Sequence, residues 1–399
     1  MDECVAESNY QPLHHFISHS PWDGQAVINE VAVQTQATFQ ARPGRVGLLL
    51  DESGWAKAGH HSVGVARQYI GQLGKVENGQ VGVFAALCQE DRVGLVGARL
   101  YLPAAWTDDP ARCKAAGIPA AAQEYRSKPE LAAAIIAQLE GKVAYEWVGG
   151  DALYGNSPFL REQLRAGAKS YVLDVGEQLG VYLEAPEPHP PVRIRKRGRA
   201  PKRWVSEAQP IMLKELVAQS EDAQWRPVNY REGTKGPLVR EAVQFPVWLW
   251  QAEHEAVVER AELLLSRELD GSEIKYSVCW EASGAAVELA TSVWRQMQRY
   301  WVERAFQEVK EQLGLAQYQV RGWVGWEHHI ALTLMALHYM LQTRVEAEEE
   351  LPLLSCSDIK LMLAKILRNK LRESAGISAA IGRRHELRRR DIARYTLRM

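Results

Sequence analysis

The stretch "RVGLLLDES", Arg45 to Ser53, runs through consecutive apolar residues into an acid. A short apolar run of this kind reads as a strand buried on both faces, with Asp51 at its C-terminal end. Three more strands are predicted in "VGVARQYIG", "GQVGVFAALCQ" and "RVGLVGARLYLP". Gly, Asn and Asp turn signals separate them, so the expectation is an antiparallel meander after the first strand.

"PELAAAIIAQLE", Pro129 to Glu140, places Pro in a first helical turn ahead of strong helix formers. "YEWVGGD" then repeats the apolar run into an acid, now Asp151. In "ALYGNSPFLREQLRAGA" a helix can start at Ser157-Pro158 and stop at Gly167, and "KSYVLDV" supplies a further strand. The order predicts an α/β fold, a mixed sheet with helices packed on it. Sheets of this type gather their chemistry at strand C-terminal ends, where both Asp51 and Asp151 lie.

From about Leu179 to Ala282 the texture becomes Pro-rich, then basic, then β-like, which predicts an inserted β-rich unit separate from the first core. From Ala286 the chain reads as helical through "VELATSVWRQMQRYWVERAFQEVKEQLG" and "HHIALTLMALHYMLQTR", and "SDIKLMLAKILRNKLRES" reads as a basic amphipathic helix.

With 399 residues, 46% of them apolar, the chain suits two or three compact units. No apolar run reaches the roughly 18 to 20 residues that span a bilayer, and "MDECVAESNYQ" lacks the basic and apolar regions of a signal peptide. A cytoplasmic protein with no membrane partner is expected. Cys4, Cys88, Cys113, Cys279 and Cys356 lack CxxC spacing, which predicts buried free thiols rather than a zinc site or disulfides. The adjacent pairs His60-His61 and His328-His329 lack a third ligand at suitable spacing and read as structural or DNA-contacting residues.

The net charge of -1 is unevenly spread. "RIRKRGRAPKR" (Arg193 to Arg203) and "GRRHELRRRDIARYTLR" (Gly382 to Arg398) are basic, and "EAEEE" (Glu346 to Glu350) is acidic. Each basic run reads either as a solvated face or as a track for phosphates, and the close cations Arg193, Arg195, Lys196 and Arg197 suit the second.

An Asp at a strand end can be a helix N-cap or a turn former. Desolvating two of them costs free energy unless they are paired or hold a cation, so together they suggest a divalent metal site that a third carboxylate would complete. "RYWVERAFQEVKEQLG", Arg299 to Gly314, offers three. On a helix Arg299, Glu303, Phe306 and Lys310 share one stripe, while Glu308 points about 140° and Glu311 about 80° away from Glu303. The stripe reads either as an exposed i,i+4 pair or, given Trp301, Phe306 and Val309, as a largely buried face. In the second case Glu303 would serve a metal and the flanking cations phosphate, a division of roles rather than a salt bridge. Glu308 and Glu311 would then be solvent-side charges.

These residues resemble a family, the DDE transposases of bacterial insertion sequences, in particular the insertion-sequence-701 family. "LLLDESGWAKAGHHSVGVARQYIGQLGKVENGQVGV" is similar to that family's segment around its first catalytic Asp, and "GGDALYGNSPFLREQL" to the segment around its second. "YWVERAFQEVKEQLGLAQYQVRGWVGWEHHIALTLMALHYML" resembles its Glu-bearing helix and the helix after it. The resemblance runs from about Asn9 to Met340. It implies a ribonuclease-H-like fold with a β-rich insertion between the second Asp and the Glu helix. It also implies Asp51, Asp151 and Glu303 as catalytic ligands of two Mg²⁺ ions, with Mn²⁺ as a substitute.

Related transposases carry a Tyr-Arg-Glu-Lys signature whose basic members contact transposon-end phosphates. Its Arg, Glu and Lys follow the spacing of Arg299, Glu303 and Lys310, while its Tyr position falls on Gln296. Lys57, Arg67, Arg321 and Trp323 become DNA-facing candidates by resemblance and charge. Glu52 stands where relatives often have a second Asp. "SNYQPLHHFISHSPWD" resembles the last part of the family's N-terminal helical DNA-binding region, so this chain is expected to begin partway through it.

The expected organisation is therefore a remnant of that region in residues 1–40, catalytic core in 41–178 and 286–345, the β-rich insertion in 179–285, and a basic helical C-terminal region in 346–399. The expected activity is that of a transposase, binding terminal inverted repeats in double-stranded DNA as a homodimer, cleaving there and joining the ends to target DNA. A catalytically silent DNA-binding relative is the rival reading. A metal-dependent hydrolase of small phosphoesters would explain the acids but not the basic patches.

Overall fold

The structure is a computed structural model that describes residues 9–191, 203–219, 224–233, 236–251 and 257–366, together with 382, 385, 386, 389 and 390. It opens with helices α1 (Tyr10–Ser18) and α2 (Gly24–Gln40) and strands β1 (Gly47–Ala56), β2 (Ala66–Ile70), β3 (Lys75–Gln89) and β4 (Arg92–Leu100). Short helices α3 (Ala104–Thr107) and α4 (Pro110–Ala115) lead to α5 (Lys128–Leu139), β5 (Trp147–Gly150), α6 (Ala152–Gly155), α7 (Pro158–Ala166) and β6 (Tyr171–Asp174). Next come β7 (Gly180–Val181), β8 (Ile211–Met212), α8 (Leu213–Gln219), β9 (Arg226–Gly233), β10 (Gly236–Leu249), β11 (Glu259–Arg267) and β12 (Ile274–Trp280). Helices α9 (Leu289–Met297), α10 (Tyr300–Glu311), α11 (Trp323–Glu346) and α12 (Cys356–Ile366) follow. None of the described helices is long and apolar enough to cross a membrane.

Local chemistry sets several boundaries. Ser127 and Glu130 form a reciprocal capping box that starts α5, so the helix predicted from Pro129 begins one residue earlier. Ser157 caps α7, whose first residue is Pro158, and Gly167 closes it.

One ten-stranded sheet organises the molecule, in the order β2-β3-β1-β5-β6-β12-β11-β10-β9, with β4 also on β3. β1, β5 and β6 are parallel neighbours, and every other pairing in this sheet is antiparallel. The predicted strands after Arg45 are β2, β3 and β4, and both β2 and β4 flank β3. Leu48 and Leu50 enter one apolar cluster and Leu49 the other, which is why the run reads as continuous rather than alternating. Helices α2, α10 and α11 cover Leu49 and Phe84 on one face, and α5 and α7 cover Leu48 and Leu50 on the other. A mixed sheet with helices on both faces is the ribonuclease-H-like α/β architecture.

The β-rich segment does not stand apart as expected. β12 pairs with β6 through Ser277↔Asp174 to Trp280↔Tyr171, so the segment extends the central sheet. Leu263, Leu265 and Val278 pack in the same cluster as Leu48, Leu50 and Leu173. The physical reason is that β6 would otherwise leave an unpaired edge, and a strand supplied from the segment satisfies it. Cys88, Cys113, Cys279 and Cys356 are buried free thiols, and Cys4 lies outside the described residues.

Candidate metal centre

Register brings the two aspartates together. In the parallel pair β1–β5, Leu50 lies opposite Gly150, so the next residues, Asp51 and Asp151, leave adjacent strands side by side. β1 continues along β3 as far as Ala56, whereas β5 stops at Gly150 and turns into α6 with Asp151 as its N-cap. The Asp151 carboxylate accepts from the Leu153 amide at 2.9 Å, so the N-cap reading holds and coexists with a place at the sheet edge. Gly155 lets α6 come close to β6, since a Cβ there would lie 1.9 Å from the Asp174 carbonyl oxygen.

Asp51, Glu52 and Asp151 offer carboxylate oxygens that all lie within 4.8 Å of one another. Asp51 is buried, and burial, with the Asp151 charge next, pushes its pKa up to about 8. A desolvated carboxylate crowded by its neighbours is the condition that a cation relieves, and an all-oxygen donor set suits Mg²⁺ or Mn²⁺ rather than a softer ion. The residues present therefore fit a divalent cation. Glu52 is ion-paired with Lys128 at 2.7 Å and accepts from the Tyr154 hydroxyl at 3.4 Å.

Asp51, Glu52 and Asp151 line a cavity of about 560 Å³ together with Arg299, Glu303, Phe306, Gln307, Lys310 and Glu311 of the facing helix. Glu303 reaches this cavity but lies outside the three-acid group, and it pairs with Arg299 at 3.1 Å with 55% of its side chain exposed. Arg299 and Glu303 thus form a salt bridge here, and Arg299 is engaged by carboxylates rather than standing apart from them. It also lies 3.2 Å from Asp174 and 4.0 Å from Asp51. Burial works against the Arg299 charge, but Asp174, Asp51 and Glu303 outweigh burial and raise its pKa.

Lys310 donates to the Gly54 carbonyl at 3.3 Å, and burial lowers its pKa. Glu311 lies on the rim of the cavity and accepts from Gln307 at 3.0 Å. Glu308 is half-buried rather than a plain solvent-side charge, since Cys356 of α12 donates to it at 3.2 Å.

Other expected DNA-facing residues separate into three groups. Arg67 and Arg321 are exposed. Lys57 donates to the Tyr318 carbonyl and lies 4.7 Å over its ring, and burial brings its pKa down to about 8; it fastens the loop after α10. Trp323 is buried in the apolar cluster around Leu49, where packing rather than DNA holds it. Arg193, Arg195, Lys196 and Arg197 lie outside the described residues. His328 sets both ring nitrogens against backbone carbonyls, Ile17 at 2.9 Å and Trp22 at 2.7 Å, and His329 faces the Leu315 carbonyl at 3.1 Å, so both are structural. His60 and His61 are exposed.

Sequence reasoning missed Asp174 and the place of Glu52. Asp174 ends β6, the third parallel strand, and burial raises its pKa. The signal was present, since "YVLD" is a third apolar run into an acid. Gln296, which departs from the family signature, is buried and bridges two serines: Ser266 donates to it at 2.6 Å, and it donates to Ser277 at 2.7 Å.

The family model for DDE superfamily endonucleases matches residues 2–237, more than half of the chain. The chain belongs to this family. The matched region contains Asp51, Glu52, Asp151 and Asp174 and ends before α10. Over 159 residues the chain is 34% identical to "Probable transposase for insertion sequence element IS701" of Microchaete diplosiphon. That similarity covers 39% of this chain and spans 37% of the length of the relative.

Proposed function

We propose that this chain is a transposase that binds the terminal inverted repeats of its element in double-stranded DNA as a homodimer, cuts the strand there and transfers the end to target DNA. The observation that carries the reading is the juxtaposition of Asp51, desolvated within β1, and Asp151, at the end of β5, side by side within reach of a common cation. Asp51 and Asp151 hold the metal, Mg²⁺ or Mn²⁺, with Glu303 as the third carboxylate delivered by α10. Held by these carboxylates, divalent cations would supply activation of a water or 3′-hydroxyl and stabilisation of the leaving oxygen of a phosphodiester.

The protein's own groups do the rest. Glu303 is exposed enough to turn from Arg299 toward the aspartates, which would free Arg299 for a phosphate oxygen in the same cavity. Lys310, already partly desolvated on the cavity wall, gains a partner when a phosphate enters. Exposed Arg67 and Arg321, and the basic run of Arg193, Arg195, Lys196 and Arg197, supply sequence-independent phosphate contacts, so binding weakens steeply with salt.

The test is incubation of end-labelled transposon-end DNA with the full chain and Mg²⁺, beside D51N, D151N, E303Q and E52Q. Nicking that requires Asp51, Asp151 and Glu303 but tolerates E52Q supports the assignment. Loss in E52Q with activity kept in E303Q would exchange the third ligand. Binding without any acid-dependent nicking would establish the silent DNA-binding relative instead, a reading that the Arg299–Glu303 pair favours.

A further inference from the structure

Five carboxylates gather where β5 and β6 end beside the middle of β1 and the start of α10: Asp51, Glu52, Asp151, Asp174 and Glu303. Lys128 engages Glu52, and Arg299 is in ion-pair range of Asp51, Asp174 and Glu303, while Lys310 acts on Asp51 and Lys275 on Asp174 from farther off. The Arg299 guanidinium is not shared equally. It lies 3.1 Å from Glu303 and 3.2 Å from Asp174, and only at 4.0 Å, beyond hydrogen-bond reach, from Asp51. The contact of Arg299 Nε with Asp174 is an ion pair without hydrogen-bond alignment, so charge and position, not a directional bond, hold it.

Asp174 is itself fixed from behind. Ser277, its register partner on β12, donates to Asp174 Oδ1 at 2.6 Å, Gln296 donates to Ser277 at 2.7 Å, and Ser266 donates to Gln296 at 2.6 Å. Ser266, Ser277 and Gln296 are all buried. A satisfied buried chain of this kind sets one rotamer for the carboxylate at its end.

We propose that Asp174 is a positioning residue for the metal centre: it draws the Arg299 guanidinium onto itself and Glu303, keeps it off the Asp51–Asp151 pair, and so leaves that pair available to a divalent cation. The inference rests on the reading of Asp51 and Asp151 as cation ligands. An arginine released from Asp174 keeps Glu303 at 3.1 Å and has Asp51 next, at 4.0 Å, where it competes directly with the metal. Asp174 lies outside the three-acid group, which separates it from the ligands themselves.

The test is Mn²⁺ binding to the full chain, followed by the loss of the free-ion electron paramagnetic resonance signal, with thermal melting as a control. D174N is expected to weaken Mn²⁺ binding about 10-fold, the lower range for removing a supporting group. The decisive measurement is the double variant: D174N/R299A should bind within about 2-fold of R299A alone, because the competitor is gone. S277A, which loosens Asp174 without removing its charge, should weaken binding less, and again only when Arg299 is present; it serves if D174N does not fold. Equal weakening by D174N with and without Arg299 would mean a merely structural or field role and overturn the proposal, as would unchanged binding in D174N. Wild-type chain that binds no Mn²⁺, or D51N that binds it equally well, overturns the parent reading and the proposal with it.

Discussion

Arg161 and Arg299 are both held against carboxylates, and their surroundings differ in balance. The Arg161 side chain is 2% exposed, donates to Glu259 at 2.9 and 3.5 Å, and gives its remaining nitrogen to the Gly155 carbonyl at 2.5 Å. Each group there has a directional partner. Arg299 is shared among Asp51, Asp174 and Glu303, and Asp51 retains a pKa of about 8 beside it. The first arrangement fixes α7 to β11, and the second leaves charge unresolved where the sheet edge opens into a cavity. Buried charge that is fully paired reads as architecture; buried charge left unpaired reads as a site awaiting a ligand.

The comparison breaks first at the paired site. Arg161→Ala leaves Glu259 half-buried without its main partner and is expected to lower unfolding free energy by roughly 3–5 kcal/mol. Denaturant titration measures it, and a loss below about 1 kcal/mol would place Arg161 among ordinary surface pairs. Asp51→Asn should act in the opposite sense. Mg²⁺-dependent nicking of transposon-end DNA should fall on the order of 10²–10³-fold, the scale of losing an electrostatic group at a reacting centre. Its melting temperature in chelator should stay level or rise, because a desolvated carboxyl has become a neutral amide. A variant that both melts early and loses nicking would make Asp51 a structural residue.

Gly155→Ala tests whether both arginines depend on one close approach. The added Cβ would lie 1.9 Å from the Asp174 carbonyl oxygen, which is backbone and cannot turn aside. A loss of roughly 1–3 kcal/mol is expected from such overpacking. Because Gly155 also receives Arg161 and borders Asp174, weakened Mn²⁺ binding should accompany it; stability lost with binding intact would separate the two regions.

What the sequence disclosed follows the range of the interactions. β1 and β5 were legible because a run buried on both faces must be apolar throughout, and Asp51 and Asp151 were legible as breaks in those runs; that β1 carries on past Asp51 to Ala56 was not, because its later residues pair with β3 alone. Helices α5 and α7 were legible from Ser127, Pro129, Ser157 and Gly167, which act within one turn. Pairing of β12 with β6 was not, since it joins residues a hundred positions apart and nothing in "EIKYSVCWE" names its neighbour. For the same reason Arg299 was read by helical phase alone, which gives its face but not that Asp174, from another strand, would share that face. Trp323 and Lys57 show the same failure, as charge and aromaticity do not reveal packing against residues distant in sequence, Tyr318 for Lys57 and the cluster around Leu49 for Trp323.

Acidity should distinguish the two regions in solution. The folded chain holds a proton on Asp51 up to about pH 8, while the unfolded chain releases it near the ordinary value of 3.8. Between those values folding takes up a proton, so the Asp51 contribution to stability is present at low pH and is lost as pH rises toward 8, by at most about 1.4 kcal/mol per pH unit. Chemical denaturation in chelator at several pH values should show this decline, and D51N should flatten it. Mn²⁺ binding should release a proton near neutral pH, since the ligand must ionise. Equal slopes for wild type and D51N would locate the titration elsewhere.

The smallest effect lies on α10 and bears on which of its acids serves the cavity. Glu308 pairs loosely with Arg304 at 3.9 Å and accepts from Cys356, facing α12 rather than the aspartates. An i,i+4 pair of this kind contributes about 0.2–0.5 kcal/mol, so E308Q should shift stability by no more than that and leave nicking unchanged. Glu303 lies one and a half turns earlier on the cavity side, and E303Q should abolish nicking at equally small cost in stability, because its side chain is largely in solvent. Were E308Q to lose nicking while E303Q kept it, α10 would have to rotate by about 140° to present the other acid. That rotation would pull Phe306 and Val309 out of the core around Leu49, and so should appear as a loss of stability far larger than either substitution predicts.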